Sequence, residues 1–537
     1  MNPLSLLCSS FLSLSSLVGS QLILNKRTSS FGSVILPSDP LYNYSWHLRQ
    51  IEADKAWEIT TGLNTVTAGF IDSGVDGYII DLLQNLDAYL SVDCYGNHER
   101  NPLEDDAPHG TCVASAFGAA DGYNHYVSGV TKHSRIVSLK TDDPSYPMSP
   151  DDGALLYSLA YINSNENSLD FVNCSVQLVY YNDSFLNTVS NLISSYSGLV
   201  VAVAGNGNDN LDSYSSSSAY QTFHNLQNVI VVGASNENDE KCSFSNYGQT
   251  YVDLFAPGTN VFTYPIDSNT SLPISFSGTC AAAPLVTGTA ALIKSVNPTL
   301  SPLQIKSIIL DNVDYCSSLN GKCVSNGRLN TYKAVKAAIP EITTFGQNVG
   351  CIQSLPSYGS QFYKAQLTPG TYHFETTGNL HTIGYLFTDI QSNPIISTSN
   401  STGNFSFDYN CGVNKTVYLK VASGSYSSGD YGIKITRTGN HSHSYNFFYF
   451  PYSTAKHKAY CECGAYIYES HVVAFNSNAC SLCGRIVFGD FISPLTSYTI
   501  VGNDSKLLFD GILILGPVDY DLFVEGAIDI DSLLESY

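Results

Sequence analysis

Four short segments hold side chains that together can perform acyl transfer. Within GFIDSGVD an apolar run ends at Asp72, and a Ser-Gly turn follows. PHGTCVASAFGAA places His109 at a Pro-Gly boundary that opens a helix of small residues. LVVAVAGNGN closes an apolar run with Asn206 between two glycines, and SFSGTCAAAPLVTGTAALI sets Cys280 after Gly-Thr at the head of a long apolar helix. Acyl transfer needs a nucleophile, a base that takes its proton, an acid that holds the base's tautomer, and fixed donors for the oxyanion. A thiol, an imidazole, a carboxylate and a carboxamide supply that set. Singly, each segment has a plainer explanation: an Asp before Ser-Gly forms turns, and a Pro-His-Gly histidine sits on surfaces. Their joint presence carries the reading.

These groups need elements to hold them. From Val66 to Asn330, apolar runs (TVTAGFID, DFVNCSV, LVVAVAG, NVIVVGAS) alternate with helix-like stretches (DDGALLYSLAYIN, FLNTVSNLISSYS). That alternation predicts an α/β fold with a mainly parallel sheet covered on both faces. Functional groups should then lie on loops at the carboxyl ends of the strands.

In order and in surrounding residues, the four segments resemble the boxes of the subtilisin-like peptidase superfamily (family S8). The resemblance runs from about Asn43 to Ala338 and includes the opening YNYSWHLRQIEADKAWEITTG and the closing NGRLNTYKAV. GTCAAAPL and SVDCYGNHERNPLEDDAPHGT add kexin-like features. The resemblance implies a subtilisin-like three-layer domain and a serine-type endopeptidase that hydrolyses peptide bonds of protein or peptide substrates. Carried over residue by residue, Asp72 orients His109, and His109 acts as base and then as acid. Asn206 and the backbone N–H of residue 280 hold the oxyanion, and Ser175, Val176 and Gln177 form the substrate strand.

The chain departs from the family where the chemistry is most sensitive. Cys280 stands in the position of the nucleophilic serine. A helix N-terminus and a neighbouring imidazole favour the thiolate, which attacks well. Sulfur is larger than oxygen, however, and shifts the tetrahedral centre against donors that act only at close, fixed distances. Thiolate also leaves more readily than an amine, so an amide adduct tends to collapse backwards. Three readings follow: a cysteine-nucleophile peptidase, an acyl transferase, or a catalytically inactive homologue that binds peptides or acts as a scaffold. Gln177 replaces the glycine common in the substrate strand and puts a side chain on a pocket wall. Asp183, Asp209 and Asp212 are acidic residues of the cleft's neighbourhood, and no dibasic specificity is assigned to them. Cys112, three residues after His109, is a packing cysteine or a redox partner of Cys280.

Beyond Ala338 the texture changes. Residues 345–440 alternate with period two (KAQLTPGTYHFETTG, KTVYLKVASG, GDYGIKITR) and predict a β-sandwich that resembles prepeptidase C-terminal domains. Residues 441–485 form a Cys/His module. Its Cys461, Cys463, Cys480 and Cys483 make two knuckles, each followed by Gly, that suit either tetrahedral structural zinc or two disulfides. Residues 486–537 read as a β-rich acidic tail. At the other end, residues 1–20 (MNPLSLLCSSFLSLSSLVGS) are uncharged and read as a signal peptide. Residues 21–40 form a short lead where the family usually has a long propeptide, and 41–340 form the catalytic domain.

Composition limits the partners. Among 537 residues, 24 Lys+Arg face 46 Asp+Glu, a net charge of −22. Nucleic acid and anionic membrane surfaces both demand clustered positive charge, so neither is expected. Only 13% of residues are charged while 12% are aromatic, which excludes a disordered acidic chain. No run of about 20 uninterrupted apolar residues exists, so no transmembrane segment is expected. Fourteen cysteines, and Asn-x-Ser/Thr acceptors at Asn400, Asn404, Asn414, Asn440 and Asn503, point to a secreted or endomembrane-lumen protein. The chemistry requires no cofactor, and calcium is left unassigned.

Overall fold

A computed structural model describes residues 42–105, 107–120, 127–165, 168–176, 183–213, 225–264, 274–343, 348–398, 403–424 and 428–438, with six further strands between 448 and 514. Residues 1–40, where a signal peptide and lead are expected, and Gln177, Cys461, Cys463, Cys480 and Cys483 lie outside the described residues. The chain divides into two compact units: residues 1–340 with 389–393, and residues 341–388 with 394–537.

The first unit is built on a nine-stranded sheet. Its order is Asp314–Tyr315, Gly327–Arg328, Leu254–Pro257, Val229–Ser235, Leu199–Val203, Phe171–Cys174, Thr67–Asp72, Arg135–Lys140, Val92–Asp93. All neighbours are parallel except the outermost pair, Asp314–Tyr315 with Gly327–Arg328. The central strands TAGFID, FVNC, LVVAV and VIVVGAS are buried at every position, which is why they read as continuous apolar runs and not as alternating ones.

Both faces are covered. Ile71, Val172, Val200 and Val229 share a core with Leu155, Leu159 and Ile162 of the helix Asp152–Ser164, and with Leu186, Val189 and Ile193 of the helix Asp183–Ser195. On the other side Phe70 meets Phe117 of the helix His109–Gly118 edge-on, with centroids 5.1 Å apart. The helix Thr279–Val296 packs on this side too, beneath five strands and against the His109 helix. That crossing is close: a Cβ on Gly288 would fall 2.6 Å from Val130 Cβ and 3.4 Å from Phe117 O. Thr279–Val296 is also the one described helix long and apolar enough to cross a membrane, and 94% of it is buried inside this unit. It is a core helix.

The second unit holds two larger sheets and two three-stranded ones, Phe448–Pro451 with Lys456–Tyr460 and Tyr466–Ser470, and Tyr498–Ile500 with Leu507–Phe509 and Ile512–Ile514; the larger two form its core. One carries Glu341–Ile342, Ser360–Leu367, Lys415–Ser423, Thr382–Phe387 and Ile396–Thr398; the other carries Asn348–Leu355, Gly429–Thr438, Gly370–Gly378 and Ser406–Cys411. Their inward residues, among them Leu367, Leu419 and Val421 from one and Phe374, Phe407 and Ile433 from the other, form one core. The buried Tyr363 and Tyr431 hydroxyls join across it at 2.7 Å. Burial alternates with period two along Gly370–Gly378 and Lys415–Ser423, the pattern of a strand with one face inward.

Candidate active site

Asp72 is the last residue of its strand. In register, Asp72 lies opposite Lys140, Ile71 opposite Cys174, and Cys174 opposite Ala202. Asp72, Ser175 and the loop leading to Asn206 therefore leave the sheet at one edge, its carboxyl edge. The chain fills the sheet on one side of the Asp72 strand and then on the other, so this is the reversal point where open α/β sheets form crevices.

His109 opens its helix, and its Nδ1 lies 2.6 Å from Asp72 Oδ1. Both side chains are buried, at 7% and 5% exposure. Two glycines permit this approach. A Cβ on Gly110 would sit 2.1 Å from Gly74 O and 3.1 Å from Asp72 Cβ. Gly74 itself has φ +121°, and its Cβ would fall 2.5 Å from Glu104 O. The Asp-Ser-Gly and His-Gly segments touch backbone to backbone because neither glycine has a side chain.

One residue of this region escaped the sequence reading. The buried Asp105 carboxylate joins the turn after Asp72 to the start of the His109 helix. Its Oδ1 accepts from Ser73 Oγ at 2.7 Å and Ala107 N at 3.1 Å. Its Oδ2 accepts from Thr111 N at 2.8 Å and Thr111 Oγ1 at 2.5 Å. Desolvation pushes the carboxyl up to about 7, against the hydrogen bonds from Thr111 and Ser73, while the nearby Asp72 charge pushes the same way as burial. In LEDDAPHGT nothing local marks Asp105; its role is set by partners that folding brings in.

Cys280 is the second residue of the helix Thr279–Val296 and is 3% exposed. Pro284, four residues on, has no N–H to give the Cys280 carbonyl, so the first turn lacks one of its internal bonds. The segment before the helix lies against the histidine: Phe276 meets the His109 ring edge-on at 5.4 Å. Helix packing and this ring contact bring the Cys280 segment and His109 together.

Asn206 is anchored to the same helix start. Its Oδ1 accepts from Thr279 N at 2.9 Å and Thr279 Oγ1 at 3.2 Å. A carboxamide whose oxygen is held this way turns its NH2 to the other side. Ser175 and Val176 are buried at the end of their strand. Asn173 Nδ2 donates to Ser175 Oγ at 2.9 Å, and Asn173 Oδ1 accepts from Thr287 Oγ1 of the core helix at 3.0 Å. This ties the start of the expected substrate strand to the helix that carries Cys280.

Other candidates stand apart. Asp212 holds a neighbouring loop, accepting from Gln249 N at 2.6 Å and Thr250 N at 3.0 Å, and Asp183 is exposed at the head of its helix. Cys112 donates to Tyr264 O at 3.3 Å, and burial pushes its thiol up to about 12. The eight cysteines whose side chains are described are all buried, and no disulfide is present among the described residues. Apart from Cys280, these cysteines sit where small apolar residues pack, so the eight give no support to an oxidising compartment.

An α/β domain with a buried Asp–His pair and a helix-borne nucleophile candidate at the carboxyl edge of its sheet defines the class. The subtilase family profile (Peptidase S8) matches residues 64–341, and the chain belongs to that family of peptidases. It is 28% identical over 313 residues to thermitase of Thermoactinomyces vulgaris, covering 56% of this chain and 99% of that protein. It is 29% identical over 309 residues to a thermophilic serine proteinase of Bacillus sp. (strain AK1), covering 57% of this chain and 70% of the other. Subtilisin of Bacillus pumilus is 31% identical over 266 residues, covering 48% of this chain and 86% of that one.

Proposed function

We propose that this subtilase is an endopeptidase in which Cys280 is the nucleophile, His109 the general base and acid, and Asp72 the residue that orients His109. The observation that carries the reading is the buried 2.6 Å Asp72–His109 hydrogen bond, kept although the serine is gone. A chain that had abandoned chemistry would have little reason to bury a carboxylate against an imidazole at this edge of the sheet. A relative named as a thermophilic serine proteinase supports proteins or peptides as the substrate class.

The step runs as follows. The Cys280 Sγ proton passes to His109 Nε2, an S–C bond forms at the substrate carbonyl, and the carbonyl π pair moves to oxygen. The Cys280 N–H and Asn206 Nδ2 face that oxyanion. Collapse expels the amine, which takes the proton from His109 and leaves a thioester for water to cleave. Asp72 stabilises the imidazolium throughout.

Cys280 itself favours the second reading, an inactive homologue that holds peptide without cutting it. Turnover of matched peptide esters and amides by the parent chain and by Cys280→Ala separates the two. Cleavage that is faster on esters and lost in Cys280→Ala supports the enzyme; peptide binding without turnover of either substrate supports the homologue. In the same reading the second unit is a β-sandwich accessory domain, and the chain is secreted.

A further inference from the structure

We infer that Asn246 is a positioning residue that holds the Asn206 loop in the conformation acyl transfer requires; this rests on the assignment of Asn206 to the oxyanion hole. Asn246 is 40 residues from Asn206 in sequence and fully buried. Its polar groups meet backbone on both sides of Asn206. Asn246 Nδ2 donates to Ala204 O at 2.8 Å, and its own N–H donates to Gly205 O at 2.9 Å. Its Oδ1 accepts from Gly207 N at 3.0 Å and Asp209 N at 2.8 Å. One side chain and its amide thus bond to four of the five residues nearest Asn206 in this loop, and to nothing named in the Asp72–His109 pair.

The loop needs such a clamp. Gly205 has φ +98° and Asn208 φ +60°, so two left-handed positions flank Asn206. For a residue with a side chain that region costs energy and persists only where the surroundings over-determine it. Neighbouring bonds add to the clamp: Asn208 N donates to Phe244 O at 2.7 Å, and Tyr247 N donates to Asp209 O at 3.0 Å. Thr279 fixes the far end of the Asn206 side chain, and Asn246 fixes its backbone. An oxyanion donor acts only within a narrow distance range, about 2.7–3.1 Å, so a small relaxation of this loop should weaken the tetrahedral adduct and leave the thiol untouched.

The test uses the full chain and two reagents. A peptide aldehyde adds Cys280 Sγ to its carbonyl carbon, and the oxygen of the hemithioacetal occupies the oxyanion position. Iodoacetamide alkylates the same sulfur with loss of iodide and uses no oxyanion donor. Asn246→Ala should weaken aldehyde affinity at least about tenfold and change the iodoacetamide rate on Cys280 less than about twofold. Adding Asn246→Ala to Asn206→Ala should cost nothing further, since both act through one group. If Asn246→Ala does not fold, Asn246→Asp, which keeps the two accepted bonds and loses the donation to Ala204, should show the same selectivity with a smaller loss. Equal effects on both reagents, or additive losses in the double variant, would overturn the positioning role. Aldehyde affinity unchanged in Asn206→Ala would remove the oxyanion assignment and the inference with it. No aldehyde adduct on the parent chain would remove the nucleophile reading as well.

Discussion

His109 Nδ1 and Asp72 Oδ1 stand 2.6 Å apart, and the backbone N–H of Ser73 donates to the same oxygen at 2.8 Å. The carboxylate is held from its own turn while it holds the imidazole, so the ring's orientation is fixed by a rigid sheet edge and not by a loop. That relationship sets the first expectation. Asp72→Asn keeps the shape but offers an amide where the ring needs an acceptor. Acylation of Cys280 by a peptide ester should fall by up to about 10⁴-fold, the scale seen when a triad aspartate is amidated, with little change in the unfolding midpoint. An unchanged acylation rate would show that His109 does not depend on Asp72.

Gly110→Ala tests the contact beneath that pair. The new Cβ would lie 2.1 Å from Gly74 O, a backbone atom that cannot swing away. Overpacking of this kind typically costs about 1–3 kcal/mol. Urea denaturation should show that loss in the first unit, and Cys280 labelling should slow with it. Gly412→Ala, where nothing lies within 4 Å, should change neither.

Asp105 gives the pH dependence a sign. Its carboxyl is raised from 3.8 to about 7, so folding favours the protonated form. Its contribution to stability is complete below the unfolded value and is lost as pH rises through about 7. The stability of the parent chain relative to Asp105→Asn should therefore decline with pH across that window, by at most about 1.4 kcal/mol per unit. Urea midpoints at several pH values from 5 to 8 measure it. A difference that stays flat from pH 5 to 8 would mean that the bonds from Ser73, Ala107 and Thr111 hold the carboxyl ionised despite burial.

The difference between what was legible and what was not follows from the range of the interactions. Asp72, His109, Asn206 and Cys280 stand where apolar runs stop or start, and a parallel sheet converts those stops into one edge; the ordered pattern and the family resemblance together picked them out. Asp105 and Asn246 do their work through partners that only folding brings near, Ser73 and Thr111 for one and the Ala204–Asp209 loop for the other. Their neighbours Asp106 and Ser245 look equally suitable in sequence. Cysteine count was a poor guide: fourteen suggested an oxidising compartment, but the eight described thiols are buried and form no disulfide among the described residues. Asp212, to which no specificity was assigned, spends its carboxylate on the amides of Gln249 and Thr250.

Cys280→Ser should raise amide hydrolysis relative to the parent chain. The Asp72–His109 pair and the Asn206 amide belong to a family whose nucleophile is oxygen, and serine restores a poorer leaving group and a shorter bond at the tetrahedral centre. Turnover of a peptide amide panel measures this. A serine variant no better than the parent would place the defect elsewhere in the cleft, with Gln177 the first position to exchange for glycine.

The central claim, that His109 activates Cys280, is tested most directly by mass spectrometry after exposure to a thiol-directed peptidyl ketone. The parent chain should carry the adduct on Cys280, and His109→Ala should lose most of it under the same exposure. Equal labelling of Cys280 in the two proteins would contradict the account.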